Sequence, residues 1–100
     1  MIFTPLGSTV NVAATTSTGN VELSAVGHLG GFEVRVYNAG QNLAFVNFGS
    51  SNAVTAATTT GIPLAPGVPE VFTVNPSVTH MAAITAAGSA TVYATSGRGK

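Results

Sequence analysis

The chain has no cysteine, no aspartate and no tryptophan, and only 6% of its 100 residues are charged. Each shortage excludes something. Without cysteine there is no disulfide staple and no thiolate metal site, which is compatible with a reducing cytoplasm or with a particle assembled there. Without aspartate a Ser-His-Asp triad cannot form, and only a glutamate variant stays formally open. The charged residues are Glu22, Glu33, Glu70, Arg35, Arg98 and Lys100, and they sum to zero. Ordinary soluble domains carry roughly 25% charged residues. Here Ser, Thr, Asn, Gly and Ala must cover the surface instead. Low net charge weakens the repulsion between copies and partners, which points to assembly.

Basic residues are too few, and two of the three lie at the C-terminus, so neutralising a phosphate backbone is out of reach. No nucleic-acid partner is expected. Gly, Thr, Asn or Pro interrupt every apolar run well short of the ~20 residues of a membrane-spanning helix, so no membrane partner is expected. The start of the chain has no positive residue, and Pro5 and Gly7 break its short apolar run, so no secretory leader is expected.

Long amphipathic helices are excluded by the scarcity of Glu, Lys, Gln and Arg, which would build their polar faces. What is present is Val, Thr, Phe and Tyr in short runs between Gly, Asn, Pro and Ser clusters, the pattern of strands. Residues 8–14 alternate, with Val10 and Val12 on one side. Residues 15–20 form a polar turn and 21–23 a short second strand. Gly27, Gly30 and Gly31 mark a flexible connection around His28. Residues 32–38 make the clearest strand: Phe32, Val34 and Val36 on one face, Glu33, Arg35 and Tyr37 on the other.

Residues 39–42 read as a turn, after which 43–48 return as the partner strand, apolar on both faces and therefore central. Residues 50–60 are an exposed loop with a short strand at 53–56. Three prolines within 62–69 put that stretch at an edge or in an extended loop. A strand over 70–74 and a turn at 75–77 follow. Residues 80–86 and 89–95 read as a hairpin, with Ile84 and Val92 inward. The expectation is one all-β domain over 1–100, a small antiparallel β-sandwich or jelly-roll-like barrel of about six to eight short strands. Residues 1–7 are expected to form an extended arm and 96–100 a flexible tail.

Little chemistry is available. Three scattered glutamates and two isolated histidines match no metal-binding or catalytic spacing. No catalytic residue, cofactor or metal is expected, and the chain reads as not an enzyme. Gly97-Arg98-Gly99-Lys100 lacks the strand, spacing and helix of a phosphate loop. His28 reads as an exposed loop residue. His80 reads as a hydrogen-bonding cap at a sheet edge, with an intersubunit or pH-sensitive contact as the alternative for either histidine. Glu33 and Arg35 share a face: a surface ion pair worth roughly 0–1 kcal/mol, or a pair that sets register with a neighbour. Tyr37 lies on that face, and Tyr beside Arg is a common interface composition. Glu33, Arg35, Tyr37 and His80 are the candidate interface residues.

The segments 3–10, 34–40, 44–49, 66–73 and 79–85, with Thr91-Val92-Tyr93, carry a resemblance over nearly the whole length. The chain resembles a family of small tailed-bacteriophage virion proteins encoded among head and structural genes. That resemblance implies a capsid decoration or cement protein in the virion, assembled in the host cytoplasm. Its implied partners are the major capsid protein lattice and copies of itself. A tail, fibre or baseplate binding module is the alternative. A cement protein must bind a repeating surface with little charge. Uncovered strand edges and Thr/Ala faces can supply that contact, and a lattice multiplies weak contacts.

Overall fold

The computed structural model describes residues 3–24 and 32–98. Among them are eight strands and no helix: β1 (Thr4–Ala14), β2 (Gly19–Glu22), β3 (Phe32–Asn38), β4 (Ala44–Gly49), β5 (Ile62–Leu64), β6 (Glu70–Val74), β7 (His80–Thr85) and β8 (Ala90–Arg98). They form two antiparallel four-stranded sheets, ordered β1-β8-β3-β6 and β2-β7-β4-β5. The pairings β1–β8, β2–β7, β3–β6 and β4–β5 are those of one long hairpin whose tip is the β4–β5 connection. Rolling that hairpin up adds β3–β8 and β4–β7. This is a jelly roll, the sandwich with eight strands in two Greek keys.

Strand periodicity builds the core. Val34 and Val36 of β3 and Val92 and Ala94 of β8 point inward from one sheet; Val46, Met81, Ala83 and Leu64 meet them from the other. Most of these are wholly buried, and each buried Val or Leu contributes about 1.5–3 kcal/mol. Phe48 and Phe72 bridge the two sheets with ring centroids 5.7 Å apart and planes tilted 57°, a contact worth about 0.5–1.5 kcal/mol beyond its area.

Two expected hairpins are instead arches. β3 and β4 lie in different sheets, as do β7 and β8. The physical reason is burial: the inner faces of β3 and β4, and of β7 and β8, face each other across one core rather than lying side by side. Asn38, wholly buried at the end of β3, stabilises the first arch. Its Nδ2 donates to the Asn42 carbonyl (2.9 Å) and the Leu64 carbonyl (3.0 Å), and its Oδ1 accepts from the Gly40 amide (2.9 Å). In the second arch Thr85 Oγ1 donates to the Gly88 carbonyl at 2.8 Å. Gly88 has φ +72°, and an added Cβ would press on the Asn42 amide, so the position favours glycine.

The expected arm and tail are also corrected. Residues 4–7 belong to β1, and 96–98 belong to β8. Thr4 pairs with Arg98 and Pro5 with Gly97 before a bulge lets register resume at Thr9 opposite Thr95. Gly97 allows this closeness: a Cβ there would fall on the Thr4 carbonyl oxygen and lie 2.7 Å from Phe3 Cζ. The expected strand over 53–56 is absent and Ala56 is buried in a loop. Ile84 faces outward beside Phe45, because Met81, Ala83 and Thr85 take the inward positions of β7. β4 is interior to its sheet, as expected. His28 and its flanking glycines lie outside the described residues, as does Lys100.

Candidate interaction surfaces

The two outer faces of the sandwich differ. On β2-β7-β4-β5 the 50–61 loop lies back across the sheet. Asn20 Nδ2 donates to the Asn52 carbonyl at 2.8 Å, Asn47 Nδ2 to the Thr55 carbonyl at 3.2 Å, and the Ala56 amide to Thr18 Oγ1 at 2.8 Å. Asn20 and Asn47 flank Ala82 in register, so Ala82 is wholly buried although it points away from the core. Gly49 lets Val54 sit against the strand, since a Cβ would lie 2.6 Å from the valine.

Among the described residues nothing comparable covers the outer face of β1-β8-β3-β6. Thr9, Asn11, Arg35, Tyr93 and Thr73 are exposed on it, and Glu33 and Tyr37 are half-buried. Register sets the side chains in rows: Thr9, Thr95, Arg35 and Val71 in one; Asn11, Tyr93 and Tyr37 in the next; Gly97, Glu33 and Thr73 on the far side of Arg35. Arg35, both tyrosines of the chain, Thr9 and Thr95 line a shallow depression of about 300 Å³. Thr9 Oγ1 and Thr95 Oγ1 share a hydrogen bond of 2.7 Å. No ion pair joins Glu33 to Arg35; Glu33 is engaged elsewhere, and the Arg35 side chain makes no hydrogen bond or ion pair among the described residues.

Of the four candidate interface residues, Glu33, Arg35 and Tyr37 thus share a surface and His80 does not. His80 stands on the other sheet, in β7, with Glu22 opposite it on β2 and Gly49 on β4. Its Nδ1 is 2.8 Å from Thr79 Oγ1. β7 is an interior strand, so the histidine caps no edge. Tyr93, Thr9 and Thr95 complete the surface around Arg35. Their alternation is visible in the sequence, but only the β1–β8–β3 register brings them beside Arg35.

A second surface is one end of the sandwich. The connections 15–18, 39–43, 65–69 and 86–89 all lie there, because β1, β3, β5 and β7 run toward it. None of these segments contains Asp, Glu, Lys, Arg or His. Leu43 and Val68 project from it, 44% and 49% exposed. Hydrogen bonds tie the loops to one another and to the strand ends: Asn42 Nδ2 to the Ser89 carbonyl (2.8 Å), the Gly67 amide to the Asn38 carbonyl (2.8 Å) and the Thr85 amide to the Thr15 carbonyl (2.8 Å). The end is therefore braced and its loops are uncharged, with Glu70 opening β6 directly after the 65–69 loop.

Free strand edges are a weaker prospect than the sequence implied. β2 has four residues, β5 has three with Pro63 among them, β6 is bounded by Pro69 and Pro76, and β1 carries the bulge. Short, proline-bounded or bulged edges resist pairing with another chain. Among the described residues no group of three or more His, Asp or Glu could hold a metal ion, and no helix is long and apolar enough to cross a membrane.

Fold and surfaces together define a small, charge-poor jelly-roll domain with one open sheet face and one uncharged loop end. No protein-family model matches the chain, and no curated protein matches it in sequence.

Proposed function

We propose that the protein is a non-enzymatic virion structural protein, a decoration or cement protein that binds the outer shell of a bacteriophage capsid and stabilises it. The observation that carries this reading is the uncharged loop end with Leu43 and Val68 exposed on it. A braced end presents its contacts without first paying to order them. An interface core depleted of charge and centred on apolar side chains suits stable contact with another protein. The resemblance to small phage virion proteins supplies the setting, and a lattice of identical sites multiplies a modest single contact.

The test is binding of the purified chain to expanded empty capsids, read by co-sedimentation and by the capsids' thermal resistance. The chain binds and raises that resistance. The double variant Leu43→Glu, Val68→Glu keeps its own melting temperature, because both side chains are exposed, and loses about tenfold or more in capsid affinity, since each apolar contact carries about 1.5–3 kcal/mol when fully buried. No binding by the native chain at any concentration, or equal binding by the variant, contradicts the proposal. A second reading, a tail, fibre or baseplate module, is favoured by the open face bearing both tyrosines. In that case the chain labels the tail and not the shell.

A further inference from the structure

Arg35 is exposed, and its side chain makes no hydrogen bond or ion pair among the described residues. Its surroundings are unusually rich in donors. A guanidinium has five N–H donors and no acceptor. Thr9 and Thr95 share one proton in their mutual hydrogen bond, so the other hydroxyl proton remains available to a ligand. The phenols of Tyr37 and Tyr93, directly opposite each other on β3 and β8, add two more O–H groups in the adjoining row. Among the described residues no carboxylate lines the depression. Glu33 faces the same side from the row beyond Arg35 and has an interaction of its own.

A ligand that only accepts hydrogen bonds and carries negative charge complements this arrangement. A carboxylate meets both conditions and matches the planar guanidinium fork. A neutral sugar finds acceptors in the threonine and tyrosine hydroxyls but leaves the Arg35 charge uncompensated.

We propose that the depression formed by Thr9, Arg35, Tyr37, Tyr93 and Thr95 binds a carboxylate side chain on an acidic segment of a partner protein. Arg35 grips the carboxylate, the threonine pair donates from one flank, and the tyrosines wall the other. Tyr and Arg anchors of this kind concentrate binding energy at interface centres. Only the identification of the partner as a shell protein rests on the function proposed above; the carboxylate chemistry does not.

The test uses the full-length, isotope-labelled chain. Its amide resonances are followed by NMR as an acetylated, amidated Gly-Glu-Glu-Gly peptide is added, then its Gln counterpart, then a neutral disaccharide. The Glu peptide produces saturable shifts at Arg35, Tyr37, Tyr93 and Thr95 that weaken with salt. The Gln peptide binds about tenfold or more weakly. Arg35→Gln abolishes the response, and Arg35→Lys, which keeps the charge but loses the fork, retains part of it. Arg35 is exposed, so an unchanged melting temperature checks that both variants fold. No saturable shift with the Glu peptide, equal binding of the Gln peptide, an unaltered response in Arg35→Gln, or shifts with the disaccharide alone overturns the proposal. Capsid binding by the native chain, read separately, decides the proposed function, so the two can fail independently.

Discussion

Replacing Asn38 by alanine tests whether the arch between the two sheets rests on one buried amide. The side chain is wholly buried and makes three hydrogen bonds, to the Asn42 and Leu64 carbonyls and from the Gly40 amide. The Leu64 carbonyl belongs to a wholly buried residue; stranding it costs about 1–3 kcal/mol. The other two partners lie in an arch exposed at Gln41 and Asn42, where water can replace part of the loss, so each costs about 0.5–1 kcal/mol. The total is about 2–5 kcal/mol, a large share of the ~5–15 kcal/mol typical of a domain. With a urea m-value of roughly 1 kcal/mol per M, the midpoint of unfolding falls by about 2–5 M. Asn42→Ala is the control. It removes one exposed bond, to the Ser89 carbonyl, and costs about 0.5–1 kcal/mol. The reasoning is refuted if urea titrations followed by tyrosine fluorescence or circular dichroism give both variants the same midpoint.

Two further perturbations address the β8 strand. Ser96 Oγ is buried in the core without a hydrogen-bond partner. Ser96→Ala should therefore leave stability unchanged or raise it by about 1 kcal/mol; a loss of that size in the same titration would show the hydroxyl to be satisfied. Gly97→Ala should push the start of β1 off β8, because its Cβ would strike Phe3 and the Thr4 carbonyl. The readout is amide hydrogen exchange, with protection lost where Thr4 pairs with Arg98 while protection at Val12 and Val92 is kept.

The strands were legible in the sequence where alternation was strict. Residues 32–38 are bounded as the pattern implied, since Phe and Val alternating with polar groups leaves only one face to bury; residues 70–74 are bounded by Pro69 and Asn75-Pro76 rather than by alternation, Val71 and Phe72 being adjacent. Connectivity was not legible. A short turn such as Ala39-Gly40-Gln41-Asn42 serves a hairpin or an arch equally well. What selects the arch is the core that the inner faces of β3 and β4 share, and the buried Asn38 amide braces it by reaching the Leu64 carbonyl, a contact 26 residues away. The paired ends of β1 and β8 were missed for a similar reason: Gly97 and Arg98 look like a loose tail until Thr4 and Pro5 are set beside them. Of the candidate surface, the period of two put Glu33, Arg35 and Tyr37 on one face. The depression around Arg35 depends on the register across three strands, and nothing local to His80 in the sequence separates it from that face, although it sits on the opposite sheet.

The central claim, a decoration protein seated on a capsid shell, is tested most directly by a density map of the assembled particle. The proposal predicts a repeated feature on the outer shell that fits a domain of 37 × 27 × 20 Å, with the Leu43 and Val68 end against the lattice. Density for this domain at the tail or baseplate and none on the shell would contradict it.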